Sequence, residues 1–428
     1  MVRARSPKKS HRGNGVKICH ITNEHSSDDP RIFHKMCTSL ARSGVFDVFL
    51  VAPGESRLEN GVHIIGAGER RMTEKNALPC RVWRKSFELL TLDKRLFLSR
   101  IYKKALAVDA RIYHIHDIPL LPMGMKLKKR GYTVIFDSHE DYPAIASSGT
   151  LYLLKPHGIL RALIANRLIM AIRPYRRLLN RLHHRLFRHY HDRCCRRFDA
   201  VVYVTPGRFF DFLLSLNPMT TLVTNYPLTQ NTPPPDVCPD YASRKAVFAG
   251  GILPYWNHGT IIRAIADMPG ATYILCGYTV KKYLRELMTL PGWEYVDYRG
   301  RVPHEEVAGI LRSAAVGVAV YDYWANTEGN HGALGIIKIY EYMQAALPVV
   351  CTDFTLWKEM VAEYDCGICV NPDDKEGIKN AIRYLIDHPD EARRMGQNGR
   401  RAVMEKYNWA AEEARLLNLY GLLAARLG

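Results

Sequence analysis

The 428-residue sequence predicts an α/β architecture of two Rossmann-like domains, each a doubly wound parallel sheet, facing one another across a cleft. Three observations carry that prediction. Short apolar runs alternate with amphipathic stretches through most of the chain, a proline-rich break near the middle splits the alternation into halves of similar size, and a glycine-spaced loop in the second half opens a helix that runs into an apolar strand. Strands alternating with helices specify parallel sheets covered on both faces. Open sheets of that kind take ligands outside the carboxyl ends of their strands.

In the first half, strands are expected over 16–21, 47–51, 62–65, 110–115, 133–136 and 200–204, with amphipathic helices over 31–43 and 120–130. Residues 223–243 hold five prolines among many turn formers and read as an interdomain linker. Strands then follow over 246–249, 272–276, 293–298, 316–320 and 348–351, separated by helices over 257–267, 280–290, 304–314 and 335–346. The remainder is mostly helical. The expected division is a basic tail (1–15), an N-terminal domain (16–222), the linker, a C-terminal domain (244–407), and a final helix (408–428) that packs back on the first domain.

A hydrophobic content of 47% with 24% charged residues is ordinary for a globular chain, but the net charge of +18 is not. It is concentrated in residues 1–17, 70–104 and 151–198, so the rest of the chain is net acidic. Such patches suit a polyanion, either an anionic membrane surface or nucleic acid. Within 151–198, leucines and isoleucines alternate with arginines at helical spacing, the pattern of a basic amphipathic helix lying among lipid headgroups. No RNA- or DNA-binding module is legible and aromatic interleaving is sparse, so nucleic acid is the weaker reading. No run approaches the length needed to span a bilayer, and the basic N-terminus lacks the apolar core of a secretory signal. Ten scattered cysteines fit reduced cytoplasmic thiols, with Cys366 and Cys369 alternating inside a strand-like run as core residues.

The stretch GALGIIKIYEYMQAALPVV, starting at Gly332, is the most informative. A glycine loop feeding a helix N-terminus offers backbone N–H groups and a positive dipole end to a phosphate. Glu341, about a turn further in, is placed to accept hydrogen bonds from a sugar's vicinal hydroxyls.

Eight strings in order carry a resemblance to the retaining glycosyltransferases of family 4, which have the GT-B architecture. They are HITNEHSSDDPRIFHKMCTSLA, YHIHDIPLLPMG and FDSHEDYP in the first half, and FAGGI, YRGRVPHEEVAGILRSAAVGV, KIYEYMQAALPVV, CGICVNPDD and MGQNGRRAVMEKYNW in the second. The first three look most like bacterial enzymes of cell-surface polysaccharide assembly. The resemblance implies transfer of a sugar from a nucleoside-diphosphate sugar, as co-substrate, to a glycan or polyprenyl-diphosphate-linked acceptor. No metal or other cofactor is implied, and the enzyme is expected on the cytoplasmic face of the membrane.

By that resemblance Glu341 holds the donor ribose, Lys338 lies near the phosphates, and Gly250, Gly251, Gly332 and Gly335 line the donor site. A solvated helix glutamate and a snorkelling lysine are the plain alternatives. His116 and Asp117, after the strand at 110–115, are expected to face the cleft as catalytic residues, against the alternative of a histidine capping the strand. His139 and Glu140 form a second pair at the same sheet edge and are assigned to the acceptor. Arg31 is assigned there too as a guanidinium fork for phosphate, while Asp29 as a helix cap with Pro30 at the first helical position explains the same residues. The chain departs from the family where a second glutamate is usual and Ala333 stands, with Glu328 nearby but out of register. It departs again where an Arg and a Lys are usual: Gly251 or Ile252 and His258 occupy those places, with His258, if protonated, and Arg301 as replacements. A GT-B-fold enzyme that hydrolyses or epimerises a nucleotide sugar is the closer alternative, and these departures keep open a non-catalytic GT-B subunit.

Overall fold

The computed structural model describes residues 15–68, 92–139, 185–234 and 236–427. Glu140 and most of the basic segments at 1–17, 70–104 and 151–198 lie outside the described residues.

The N-terminal domain is built on an eight-stranded sheet. Its strands are β1 (Val16–Ile21), β2 (Phe46–Ala52), β3 (Arg57–Glu59), β4 (Val62–Gly66), β5 (Ile112–Ile115), β6 (Thr133–Ser138), β7 (Ala200–Tyr203) and β8 (Thr220–Leu222), in the order β3-β4-β2-β1-β5-β6-β7-β8. All neighbours are parallel except β3 and β4, a hairpin. Every residue of β5 and β7 is buried, as expected for strands covered on both faces. The C-terminal domain has six parallel strands in the order β11-β10-β9-β12-β13-β14. These are β9 (Lys245–Ala249), β10 (Thr272–Cys276), β11 (Val296–Gly300), β12 (Val316–Ala319), β13 (Val349–Thr352) and β14 (Gly367–Val370). In each sheet the order reverses beside the first strand, between β1 and β5 and between β9 and β12, and such switch points are where doubly wound sheets bind ligands.

Local differences from the expected elements have physical causes. The helix expected over 31–43 starts as a π-type turn, Pro30–Cys37, and tightens to α only over Thr38–Arg42. Thr38 donates its hydroxyl to the Phe33 carbonyl (2.9 Å), holding the wider turn. The strand expected over 293–298 is a 3₁₀ turn, Trp293–Tyr295, entered through Gly292 at φ 96°, and only then β11.

The helix Trp409–Ala425 packs on the N-terminal sheet, placing Trp409, Leu416, Leu419, Tyr420 and Leu423 among Phe33, Leu40 and Phe46. Its Trp409 indole donates to Ser39 (2.9 Å), and Glu412 accepts from the Thr224 amide (2.8 Å). Among the described residues no helix is long and apolar enough to cross a membrane. The described cysteines are free thiols, and Cys366 is buried in the core.

Candidate functional site

The carboxyl ends of β9, β10 and β11 and the helix Lys338–Gln344 enclose a cavity of about 600 Å³. Gly250, Gly251, Gly277, Arg301, Lys338 and Glu341 all line it. Two of the glycines are there for space. Gly277 sits at φ 142°, where a Cβ would overlap the Gly250 carbonyl, and a Cβ on Gly250 would come within 2.6 Å of Lys338 Cε. Lys338 Nζ donates to Glu341 Oε2 (2.6 Å), and both side chains keep about a fifth of their surface exposed. A half-wet pair of this kind is worth roughly 0–1 kcal/mol and exchanges partners readily. Five of the residues assigned to the donor by resemblance therefore converge on one wall-and-floor arrangement: Gly250, Gly251, Arg301, Lys338 and Glu341.

The glycine loop and His258 differ from expectation. The helix begins at Lys338, three residues beyond Gly335. The Gly332 amide is spent on the Thr327 carbonyl (2.8 Å) and the Gly335 amide on the Thr205 hydroxyl of the other domain (3.2 Å). A Cβ on Gly335 would press on Val204, so this glycine serves close approach of the two domains. His258 is fully buried, hydrogen-bonded through Nδ1 to the Tyr273 hydroxyl (3.0 Å), and burial pushes its pKa down to about 3. It is a neutral core residue and supplies no charge to a diphosphate.

In the N-terminal domain the polar residues split between two faces of the sheet edge. His116 is fully buried, with Nε2 2.9 Å from His20 Nδ1 and Nδ1 3.1 Å from Asp137 Oδ2. Alternation along the strand puts His114 and His116 on the side covered by the Trp409–Ala425 helix, where the Tyr420 hydroxyl bridges His20 Nε2 (2.9 Å) and His114 Nδ1 (2.8 Å). The expectation that His116 presents its ring to the cleft is corrected by this packing. Arg31 is also buried: it grips Asp137 through two nitrogens, both at 3.0 Å, and donates to the Val223 carbonyl (2.9 Å). Its guanidinium fork is thus filled by a protein carboxylate, which corrects its assignment to the acceptor. Burial alone would raise the Asp137 pKa, but Arg31 and the His116 hydrogen bond hold it well below the usual carboxylate range. Burial pushes His20 and His114 well below the ordinary imidazole value, and His116 adds to both shifts.

Asp117 anchors the loop after β1. Its Oδ2 accepts from the Thr22 hydroxyl (2.7 Å) and the amides of Asn23 (2.7 Å) and Glu24 (3.3 Å). His25 stands over it, with Nδ1 2.9 Å from Asp29 Oδ2 and Nε2 3.4 Å from Asp117 Oδ1. Burial lowers the His25 pKa, but the Asp29 hydrogen bond and charge outweigh it and raise it to about 9. Asp29 moves the other way, to about 2: burial raises it, and His25 together with the Arg31 and Ile32 amides more than compensates. Asp29 caps the helix at Pro30–Cys37 through those two amides, both at 2.9 Å. His139 lies beside His25, the rings edge-to-face with centroids 5.2 Å apart, and burial lowers its pKa to about 4.

Sequence reasoning did not assign His25, Asp137 or Tyr420 to any site. Only His25 left a signal, the i,i+4 spacing to Asp29. Glu328, noted only as out of register, caps the helix Arg208–Leu216 of the opposite domain through the Arg208 (3.1 Å) and Phe209 (2.9 Å) amides. His331 Nε2 lies 3.1 Å from the Pro206 carbonyl beside it, so this loop is docked across the cleft.

Two doubly wound sheets with a pocket at the carboxyl edge of the second and a terminal helix returning to the first are the GT-B architecture. Residues 240–402 match the family model described as "Glycosyl transferases group 1". The chain resembles family 4 enzymes of bacterial polysaccharide assembly. An MMP α-(1→4)-mannosyltransferase of Mycolicibacterium hassiacum is 30% identical over 29% of this chain and 28% of its own length. The O-antigen chain mannosyltransferase B of Escherichia coli is 27% identical over 42% of this chain and 46% of its own. The chain thus spans about a quarter to a half of the curated relatives it matches. Over nearly the whole chain the fold is that of a sucrose-phosphate synthase from Thermosynechococcus elongatus (TM-score 0.66, 16% identity, 96% of this chain and 100% of that one). It is also that of Anabaena HepE solved with UDP and glucose (TM-score 0.63, 10% identity, 95% and 99%).

Proposed function

We propose that this chain is a retaining glycosyltransferase that moves a sugar from a nucleoside-diphosphate sugar to a glycan or polyprenyl-diphosphate-linked acceptor in cell-surface polysaccharide biosynthesis. The single observation that carries the reading is the convergence of Lys338, Glu341 and Arg301 on one glycine-floored cavity at the carboxyl ends of β9–β11. About 600 Å³ accommodates a nucleotide-sized ligand. Glu341 accepts hydrogen bonds from the ribose hydroxyls. Lys338, released from Glu341, moves to the diphosphate, and Arg301 adds a second cation at the mouth. Fixed positive charge at a departing diphosphate is the main catalytic demand of sugar transfer, and preorganised donors supply it without reorganisation. The enzyme works at the cytoplasmic face of the membrane, drawing donor from solution while the basic segments of the first half of the sequence hold it near anionic lipid.

The test is binding of UDP, GDP and ADP to the wild-type chain and to Glu341→Ala, by calorimetry. Loss of two charge-assisted hydrogen bonds at about 1.5–3 kcal/mol each predicts at least about a 100-fold weaker complex in the variant. Equal affinity in both proteins would remove Glu341 from the ribose. Appearance of free sugar or an epimer from a nucleotide sugar without acceptor would favour the hydrolase or epimerase reading instead.

A further inference from the structure

Outside the donor cavity, the residues best arranged for a ligand are His25, Asp117 and His139, at the carboxyl edge of the N-terminal sheet. One ligand atom from each lies within 4.8 Å of the others. We propose that these three side chains form a binding site for a divalent transition-metal ion, as a two-histidine, one-carboxylate set. The inference stands apart from the sugar-transfer reading, and its test needs no turnover.

The His25–Asp117 spacing fits ligation better than a simple ion pair. His25 Nε2 and Asp117 Oδ1 are 3.4 Å apart, beyond the usual range of an N–H···O bond. Two ligands each about 2.0–2.1 Å from a tetrahedral ion stand about 3.3–3.4 Å apart. The oxygen facing His25 is also the one left over: Asp117 Oδ2 is held by Thr22, Asn23 and Glu24, which fixes the carboxylate with Oδ1 presented. On the histidine, Nδ1 is 2.9 Å from Asp29, which sets the ring's orientation and reserves Nε2 for the ligand side. Carboxylate–imidazole–metal is the usual outer-shell arrangement around a metal-bound histidine. Asp29 is itself tied down by the Arg31 and Ile32 amides, so the outer shell rests on the backbone of a helix start. His139, from the next strand end but one, supplies the third donor with its ring edge-to-face to His25. Two imidazoles and one carboxylate suit Zn²⁺, Fe²⁺ or Mn²⁺ and leave positions for water or an oxygen ligand.

The neighbouring cluster His20–His114–His116 has the same ligand count but not the same character. Five of its six ring nitrogens are spent on one another, on Tyr420 and on Asp137 at 2.8–3.1 Å, leaving only His114 Nε2 unpaired inside the core. No metal was expected from the sequence for the diphosphate, and the site proposed here lies in the other domain.

The experiment is to strip the full chain with a chelator, titrate it with Co²⁺ and then Zn²⁺, and read stoichiometry by calorimetry and the Co²⁺ spectrum. One ion per chain is expected, with Zn²⁺ displacing Co²⁺. His139→Gln and His25→Gln should each lose stoichiometric binding, while Asp29→Asn, which keeps a capping oxygen, should bind about 10–100-fold more weakly. His63→Gln, a half-exposed histidine elsewhere, should bind as the wild type does. Circular dichroism identifies any variant that fails to fold, and the Asp29→Asn result then carries the test. Absence of a one-to-one complex in the wild type, or binding that both His139→Gln and Asp29→Asn leave unchanged, overturns the proposal.

Discussion

The two carboxyl edges that face each other in this molecule are built on opposite plans. At the C-terminal edge, charged side chains stand half-exposed around a cavity and engage chiefly one another, as Lys338 and Glu341 do. At the N-terminal edge, Arg31, Asp137, His116, His20 and Tyr420 form a closed chain of hydrogen bonds within the core. Residue types suited to catalysis occur in both, so composition does not distinguish them. Solvent access and the occupancy of each polar atom do. The first plan predicts losses of ligand affinity on substitution and the second predicts losses of stability.

The largest expected effect tests that contrast. Asp137→Ala leaves the Arg31 guanidinium buried with only a carbonyl for company, and breaking a buried pair from one side costs about 3–5 kcal/mol. Urea unfolding should register that loss, whereas Glu341→Ala, which gives up only the partly exposed pair with Lys338, should cost no more than about 1 kcal/mol. Comparable destabilisation by both variants would erase the distinction between the two edges.

The C-terminal plan was largely legible in the sequence because its signals are local. The helix carrying Lys338 and Glu341 and the FAGGI turn lie on short segments whose strand ends must share one sheet edge, whereas the Gly332–Gly335 loop, expected to cradle phosphate, spends its amides on Thr327 and on Thr205 of the other domain. The N-terminal plan was not, because it depends on which face a side chain takes. A histidine after a strand can point to the cleft or beneath the returning helix, and only the packing of Tyr420, about 300 residues on in the chain, fixes His116 beneath it. His258 failed for the same reason: its place in the motif is right, but Phe248 and Tyr273 close over it. The β3–β4 hairpin has a sequence signal that lies outside any apolar run. Asn60 and Gly61 adopt φ of 49° and 77°, and an Asn-Gly pair is the strongest short hairpin signal, but β3 itself is short and polar.

A middle-sized effect sharpens the reading of the open edge. Lys338→Met removes a cation from the cavity while sacrificing only a half-exposed pair. Nucleoside-diphosphate affinity should fall about 10–100-fold, the value of a charge-assisted bond to phosphate, with the urea midpoint unmoved. A fall in midpoint without a fall in affinity would place Lys338 with the structural residues.

The smallest expected effect is a coupling read out at Lys35, which belongs to the closed edge yet feels the open one. Its amine is buried, hydrogen-bonded to Asn225 Oδ1 (2.7 Å), and its pKa is lowered to about 7, first by burial and then by Arg31, with Glu341 and Asp29 pulling it partly back. A lysine depressed in the folded state binds fewer protons there than in the unfolded chain between those pKa values. Its contribution to stability is therefore full above about 10.5 and is lost as pH falls through about 7. Relative to Lys35→Met, the wild type should gain about 1.4 kcal/mol per pH unit across pH 7–9 in urea melts, and a flat difference would deny that the amine titrates there. Glu341→Gln removes one of the charges that hold the proton on, so the rise in stability should begin at lower pH in that background. That shift is a fraction of a pH unit at most for a charge beyond hydrogen-bond reach, and it measures directly how strongly the two edges are coupled across the cleft.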